Sequence, residues 1–311
     1  MIDLNLRTAY GKTLVELGKI NEQIVLVEAD LCKSTMGILF EEAFPERFFE
    51  MGIAEADMAA VAAGLSLTGK IPFIASFAAF APGRCYDQIR TSICIPGLNV
   101  KICGSSAGLS DFGDGATHQS IDDISLMRVL PGMCVFSPVD AIQTAQIVRY
   151  MAENKGPMYI RINRNDLPVL TSDEQQFKPG KIYTMREGGD IAIFATGIMV
   201  SIAMETVKIL SEKGIDSKVL NVPTIKPVNP DDVLSICKEA KAIVTAEEHS
   251  IYGGLGDAIS TVVAPKIAIK HVRVGIQDSF GTSAQNYKVL LEHYGLVPET
   301  IVQAAVNAKR N

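Results

Sequence analysis

Short apolar runs of strand length alternate along this chain with segments of helical length, and that alternation restricts the fold more than any other feature. In the first half the runs lie at 24–28 (IVLVE), 71–75 (IPFIA), 100–104, 133–136 and 158–162. Helical segments at 4–19, from Glu55 to Leu65, and at 85–94, 121–129 and 141–153 separate them. Such a pattern predicts a parallel sheet covered on both faces. The composition then turns polar, with proline and glycine (TSDEQQFKPGK, REGGD), before the alternation restarts with strands at 191–195, 217–222, 242–246 and 267–274. The expected fold is therefore α/β with two domains, 1–168 and a smaller 190–311, joined by a linker at 169–189.

Within the first domain the stretch 51–65, MGIAEADMAAVAAGL, places one carboxylate, Glu55, at the head of an alanine-rich helix. A glutamate in a first helical turn is favoured by the helix dipole and needs no function to explain it. The rest of that helix has almost no polar face, however, and a helix apolar all round is expected to be buried. A buried carboxylate is costly unless something binds it.

Charge and composition exclude several classes. A formal net charge of -6, with 48% hydrophobic and 21% charged residues, describes a globular protein without the basic surface that nucleic acid or an anionic membrane would require. Residues 1–18 carry charges throughout and lack the apolar core of a signal peptide, and no run reaches the length of a membrane span. The six cysteines are scattered, without a C-x-x-C pair, which fits free thiols in a reducing cytoplasm better than disulfides or zinc. Gly253-Gly254-Leu255-Gly256 lacks the full dinucleotide pattern and reads as a turn opening a packed helix.

Polar residues able to react concentrate in loops that follow strands of the first domain, the edge where open parallel sheets bind ligands. Arg7, Asp30, Ser34, Glu55, Phe77, Phe80, Asp114, His118 and Arg164 are the candidates. The long glycine-rich loop 105–120, SSAGLSDFGDGATHQS, has no apolar period, and loops of that length tend to be functional.

Five ordered motifs give these residues a context: Gly52-Ile53-Ala54-Glu55, the aromatic pair of SFAAF, Gly113-Asp114-Gly115-Ala116-Thr117-His118-Gln119, Asn163-Arg164-Asn165-Asp166-Leu167-Pro168, and Asp278-Ser279-Phe280-Gly281. In this respect the whole chain resembles the C-terminal half of transketolase, the pyrimidine-binding domain plus the C-terminal domain, as in the small subunit of split bacterial and archaeal transketolases. The resemblance implies that Glu55 hydrogen-bonds a ring nitrogen of the aminopyrimidine of thiamine diphosphate, whose chemistry is that of an electron sink. It implies that Phe77 and Phe80 line the pyrimidine pocket, with Phe80 the firmer assignment because the third aromatic of the series is replaced near Gly83 and Arg84. Asp30 would lie near the cofactor or a subunit interface. Asp114 and His118 would meet sugar hydroxyls, with His118 relaying protons, and Arg7, Ser34 and Arg164 would bind a sugar phosphate.

Departures from the family pattern bear on the sugar. Ser105-Ser106-Ala107 stands where a histidine is usual, and Ala54-Glu55-Ala56 replaces the arginine-glutamate-histidine form. Gly113-Asp114-Gly115 is not followed by the Asn-Asn of a Mg²⁺ site, so no metal ligands are expected on this chain. The resemblance therefore implies a partner subunit that carries the diphosphate-binding domain and Mg²⁺, in an α2β2 heterotetramer with the Glu55 helix packed against its own copy. The expected activity is two-carbon ketol transfer from a ketose phosphate to an aldose phosphate. A 1-deoxyxylulose-5-phosphate synthase, suggested by Arg84-Cys85-Tyr86-Asp87-Gln88, the β subunit of a 2-oxoacid dehydrogenase, and a catalytically silent binding partner are the alternatives.

Overall fold

The computed structural model describes residues 4–309 and contains two mostly parallel sheets flanked by helices. The first sheet gathers β1 (Ile24–Glu28), β2 (Phe48–Glu50), β3 (Ile71–Phe77), β4 (Lys101–Ser105), β5 (Cys134–Phe136) and β6 (Met158–Ile162). The second gathers β7 (Tyr183–Arg186), β8 (Ile191–Ala195), β9 (Ser217–Asn221), β11 (Ala242–Ser250) and β12 (Lys270–Ile276). The remaining strand, β10 (Thr224–Lys226), follows β9 in sequence but joins the first sheet, whose order is β10-β5-β6-β4-β3-β1-β2. β10 lies antiparallel to β5; every other pairing in that sheet is parallel. The second sheet runs β12-β11-β8-β9-β7, with only β7 antiparallel. Every residue of β1, β4 and β6 is buried, as continuous apolar strands inside a doubly covered sheet require.

Local chemistry starts the helices. Asn5 accepts hydrogen bonds from the amides of Arg7 and Thr8 at the head of helix Leu6–Ile20, and Asp140 does the same for Gln143 in helix Ala141–Glu153. Gly254 does open a packed helix, Leu255–Val263, whose first amides donate to the buried Glu247 carboxylate at 2.6 and 2.8 Å. All six cysteines are free, with Cys85, Cys103 and Cys237 buried. Among the described residues no helix is long and apolar enough to cross a membrane.

Two expectations are modified. Segment 169–189 is no loose tether: Leu170 and Thr171 donate backbone N–H to Asp140, Phe177 packs edge-on to Phe136 and Tyr150, and β7 pairs with β9. Its polar composition reflects an edge strand and a surface strap, which bury few side chains. The helix Glu55–Leu67 is likewise buried on one face only, through Met58, Ala59, Ala62 and Ala63. Its other face, Ala60, Gly64 and Leu67, is exposed in the single chain.

Gly104 in β4 shows how tightly the first sheet is packed, since a Cβ there would overlap the Tyr159 hydroxyl, which donates to Asp123 at 2.7 Å. Gly104→Ala should therefore destabilise the fold by about 1–3 kcal/mol, the usual cost of overpacking. A lower denaturant midpoint with an unchanged slope would show it; an unchanged midpoint would refute the packing argument.

Candidate active site

The candidate residues converge because parallel strands end at one edge. Asp30 follows β1, Glu55 follows β2, Phe77 ends β3, and Arg164 follows β6. Arg7 reaches the same edge through a bridge between Asn5 and Asp166, reinforced by Asn5 Nδ2 donating to the Asp166 carboxylate (2.9 Å) and the Arg164 carbonyl (3.1 Å). Asp30 adopts a left-handed backbone (φ 60°), and Glu50 steadies the turn by accepting from the amides of Asp30 (2.7 Å) and Gly52 (2.8 Å).

Two neighbouring clusters result. The first is a cavity of about 250 Å³ bounded by Ala29, Asp30, Leu31, Ile53, Glu55, Phe80, Arg84, Thr117 and His118. Glu55 is 4% exposed, so its carboxylate sits in the wall rather than in bulk water. Phe80 faces the cavity, while Phe77, 3% exposed, stacks behind it with ring centroids 5.8 Å apart. The His118 imidazole meets Phe80 edge-on at 5.2 Å, and its Nδ1 lies 2.9 Å from the Thr117 hydroxyl. A flat apolar wall beside a buried carboxylate suits an aminopyrimidine: the ring stacks, and the acid meets a ring nitrogen. Three buried hydroxyls, Ser76, Ser105 and Ser106, have no protein partner at this same edge, and Ser106 is held at φ 52°.

The second cluster is cationic. Arg7 Nη1 donates to the Ser34 carbonyl at 2.8 Å, while its buried Nε has no protein partner. Burial, followed by the nearby Arg164, lowers the Arg7 pKa against the pull of Asp111 and Asp166. Arg164 lies 5.8 Å from the Phe77 ring and forms a 2.8 Å ion pair with Asp111. Burial raises the Asp111 carboxyl even though Arg164 pulls it down. Asp114, exposed just before the turn Gly115–Thr117, adds to that rise. Phe77, between the two clusters, lies 6.1 Å from His118.

All nine candidates thus reach one edge, but three participants escaped the sequence reading. Arg84 forms a 2.6 Å ion pair with Glu55 and lies 4.0 Å over the Phe80 ring. Its signal was present, since it stands where the aromatic series breaks off. Asp111 and Glu50 had none: each is a loop or strand-end carboxylate whose role depends on what the fold brings opposite. Among the described residues no group of three or more His, Cys, Asp or Glu is placed to hold a metal ion.

Comparison with known proteins identifies the family. The family model "Transketolase, pyrimidine binding domain" matches residues 3–169, and "Transketolase, C-terminal domain" matches residues 180–301. A Methanocaldococcus jannaschii protein, provisionally named as a transketolase C-terminal section, is 43% identical over 302 residues, covering 96% of this chain and 94% of that protein. A Clostridium 6-deoxy-6-sulfo-D-fructose transketolase subunit is 40% identical over 301 residues, covering 96% and 93%. A solved structure described as "Split gene transketolase, inactive beta4 tetramer" superposes with a TM-score of 0.89 at 46% identity and covers 98% of each chain. With both domains matched in order, and with split-gene subunits as counterparts over nearly their whole length, the chain belongs to the transketolase family of thiamine-diphosphate enzymes.

Proposed function

We propose that this chain supplies the pyrimidine-side half of a thiamine-diphosphate site and the sugar-phosphate groups of a ketol-transfer enzyme. The observation that carries this reading is the Glu55 carboxylate, buried in a cavity whose other walls include Phe80 and His118. When bound, thiamine diphosphate supplies the electron sink for cleaving the bond beside a ketose carbonyl. Glu55 would hold a ring nitrogen of the pyrimidine by a hydrogen bond, Phe80 backed by Phe77 would stack on the ring and orient it, and Arg84 would balance the charge of the acid. His118 moves a proton to or from the sugar oxygens. Arg7 and Arg164, with Ser34, hold the anionic end, where planar guanidiniums suit a phosphate or sulfonate better than a point charge does.

The partner, in this reading, is an N-terminal transketolase subunit that carries Mg²⁺ and the diphosphate site. The exposed stripe Ala60, Gly64 and Leu67 packs against a second copy, so that the assembly is an α2β2 heterotetramer. An inactive β4 tetramer described for a 46% identical split-gene relative is consistent with a subunit that is silent alone. The anion cluster supports ketol transfer between sugar phosphates over a 2-oxoacid reaction, which has little use for Arg7 and Arg164. Glu55, His118 and Arg164 at one edge are likewise more than a silent binding partner requires.

Co-expression with the N-terminal subunit should give activity on xylulose 5-phosphate with ribose 5-phosphate, or on a sulfonated ketose, in the presence of thiamine diphosphate and Mg²⁺. Full activity from this chain alone would overturn the split-site reading. Glu55→Gln should lower kcat by roughly a hundredfold or more, as loss of a general acid–base group does; a variant within about twofold of wild type would sink the assignment. Arg164→Ala should raise KM for phosphorylated sugars roughly 10- to 100-fold, the worth of a charged hydrogen bond. An equal effect on unphosphorylated sugars would remove Arg164 from the anion site.

A further inference from the structure

The second domain carries a buried acid that the proposed chemistry does not use. Glu248, on β11, is 4% exposed and does not line the cavity. Its Oε1 accepts from the Leu109 amide at 2.8 Å and from the Tyr287 hydroxyl at 2.7 Å. Its Oε2 takes a longer contact, 3.4 Å, from Asn163 Nδ2, which also donates to the Tyr287 hydroxyl at 2.7 Å. One carboxylate of the second domain therefore touches two separate arms of the first. Leu109 lies near the root of the glycine-rich loop, and Asn163 directly precedes Arg164.

Those arms carry the substrate-facing groups and are bonded to each other just beyond the Glu248 contacts. Asn163 Oδ1 accepts from the Asn165 amide at 2.8 Å, and Asn165 Nδ2 donates to the Ser110 carbonyl at 2.9 Å. The Arg164 amide donates to Ser110 Oγ at 3.2 Å, and its guanidinium holds Asp111. Gly108 completes the fit: its φ of +66° favours glycine, and a Cβ there would overlap the Glu248 carboxyl. A second clamp acts farther along the loop, where Gln119 donates to the Thr282 carbonyl (2.9 Å) and the Ala284 amide donates to the Phe112 carbonyl (2.9 Å).

We propose that Glu248, with Tyr287, is a positioning residue that sets the Ser110–Asp111 and Asn163–Arg164 arms in register, so that the second domain tunes binding of the anionic sugar. This rests on the reading of Arg164 as an anion ligand. The ionised state matters for the clamp, because a carboxylate accepts at both oxygens and its protonated form gives up one of those sites. Burial pushes the Glu248 carboxyl up to about 7 against the pull of Arg161, with Tyr287 and Asp123 the other ionisable groups facing it. The clamp therefore tightens as pH rises through neutrality. Gln at this position keeps an acceptor for Leu109 but presents N–H to Asn163, donor against donor, and so mimics the protonated acid.

The test uses Glu248→Gln and Tyr287→Phe in the full chain, alone for amide hydrogen exchange and reconstituted with the N-terminal subunit for kinetics. Exchange at 109–111 and 163–165 should quicken, and KM for the sugar phosphate should rise roughly two- to tenfold at nearly constant kcat, the worth of about one hydrogen bond. Wild-type KM should fall more steeply as pH climbs through about 7 than the KM of Glu248→Gln, which lacks the Glu248 ionisation. Wild-type exchange and KM in both variants, or faster exchange with unchanged KM, would overturn the proposal. Faster exchange in a protein whose wild type turns over no sugar phosphate would uphold the clamp and refute the functional reading. Should Glu248→Gln fail to fold, Tyr287→Phe carries the same comparison.

Discussion

Parallel strands end at a common edge, and this constraint carries the rest of the protein. Residues as distant in sequence as Asp30, Glu55, Phe77 and Arg164 meet because each follows or ends a strand of one sheet. The loops at that edge are held by isolated backbone bridges and by side chains. Glu50 ties two of them together, Asn5 draws the first helix across to Asp166, and the glycine-rich loop is held from the second domain.

Charges drawn out of water at this edge need counter-charges, because an uncompensated buried ion is far costlier than a paired one. Glu55 has Arg84, Asp111 has Arg164, and Asp123 has Arg161 in a two-point ion pair. The pairs do different work. Arg161 and Asp123 are both almost wholly buried and lock β6 to the helix Asp123–Arg128, whereas Arg84 and Arg164 remain partly exposed. The pKa of Arg7 is lowered by burial and by Arg164 against the pull of Asp111 and Asp166, and its buried Nε has no protein partner.

The second domain is more than an appendage in this arrangement. It lends β10 to the first sheet, places Glu248 between two arms of the site, and lays residues 282–284 along the glycine-rich loop. A domain attached through buried hydrogen bonds of this kind transmits small displacements, since close-packed interiors do not deform continuously.

What was legible in the sequence was whatever depends on short-range pattern. Apolar runs specified most of the strands, and a carboxylate heading an alanine-rich helix drew attention to Glu55, which the structure buries in the wall of a cavity. The short strands β2, β7 and β10 were not legible, because three or four residues at an edge carry too little periodicity to show. Nor did composition reveal that one face of the Glu55 helix stays open: alanine and glycine suit a buried helix and a close helix contact equally well. The sequence by itself determined the α/β class and the order of the longer strands and helices, because periodicity and strand ends are local properties. Only the tertiary structure decided which charges pair, as with Arg84 and Glu55, and which distant acid, Glu248, joins the segments at Leu109 and Asn163, because those contacts join residues that no local pattern connects.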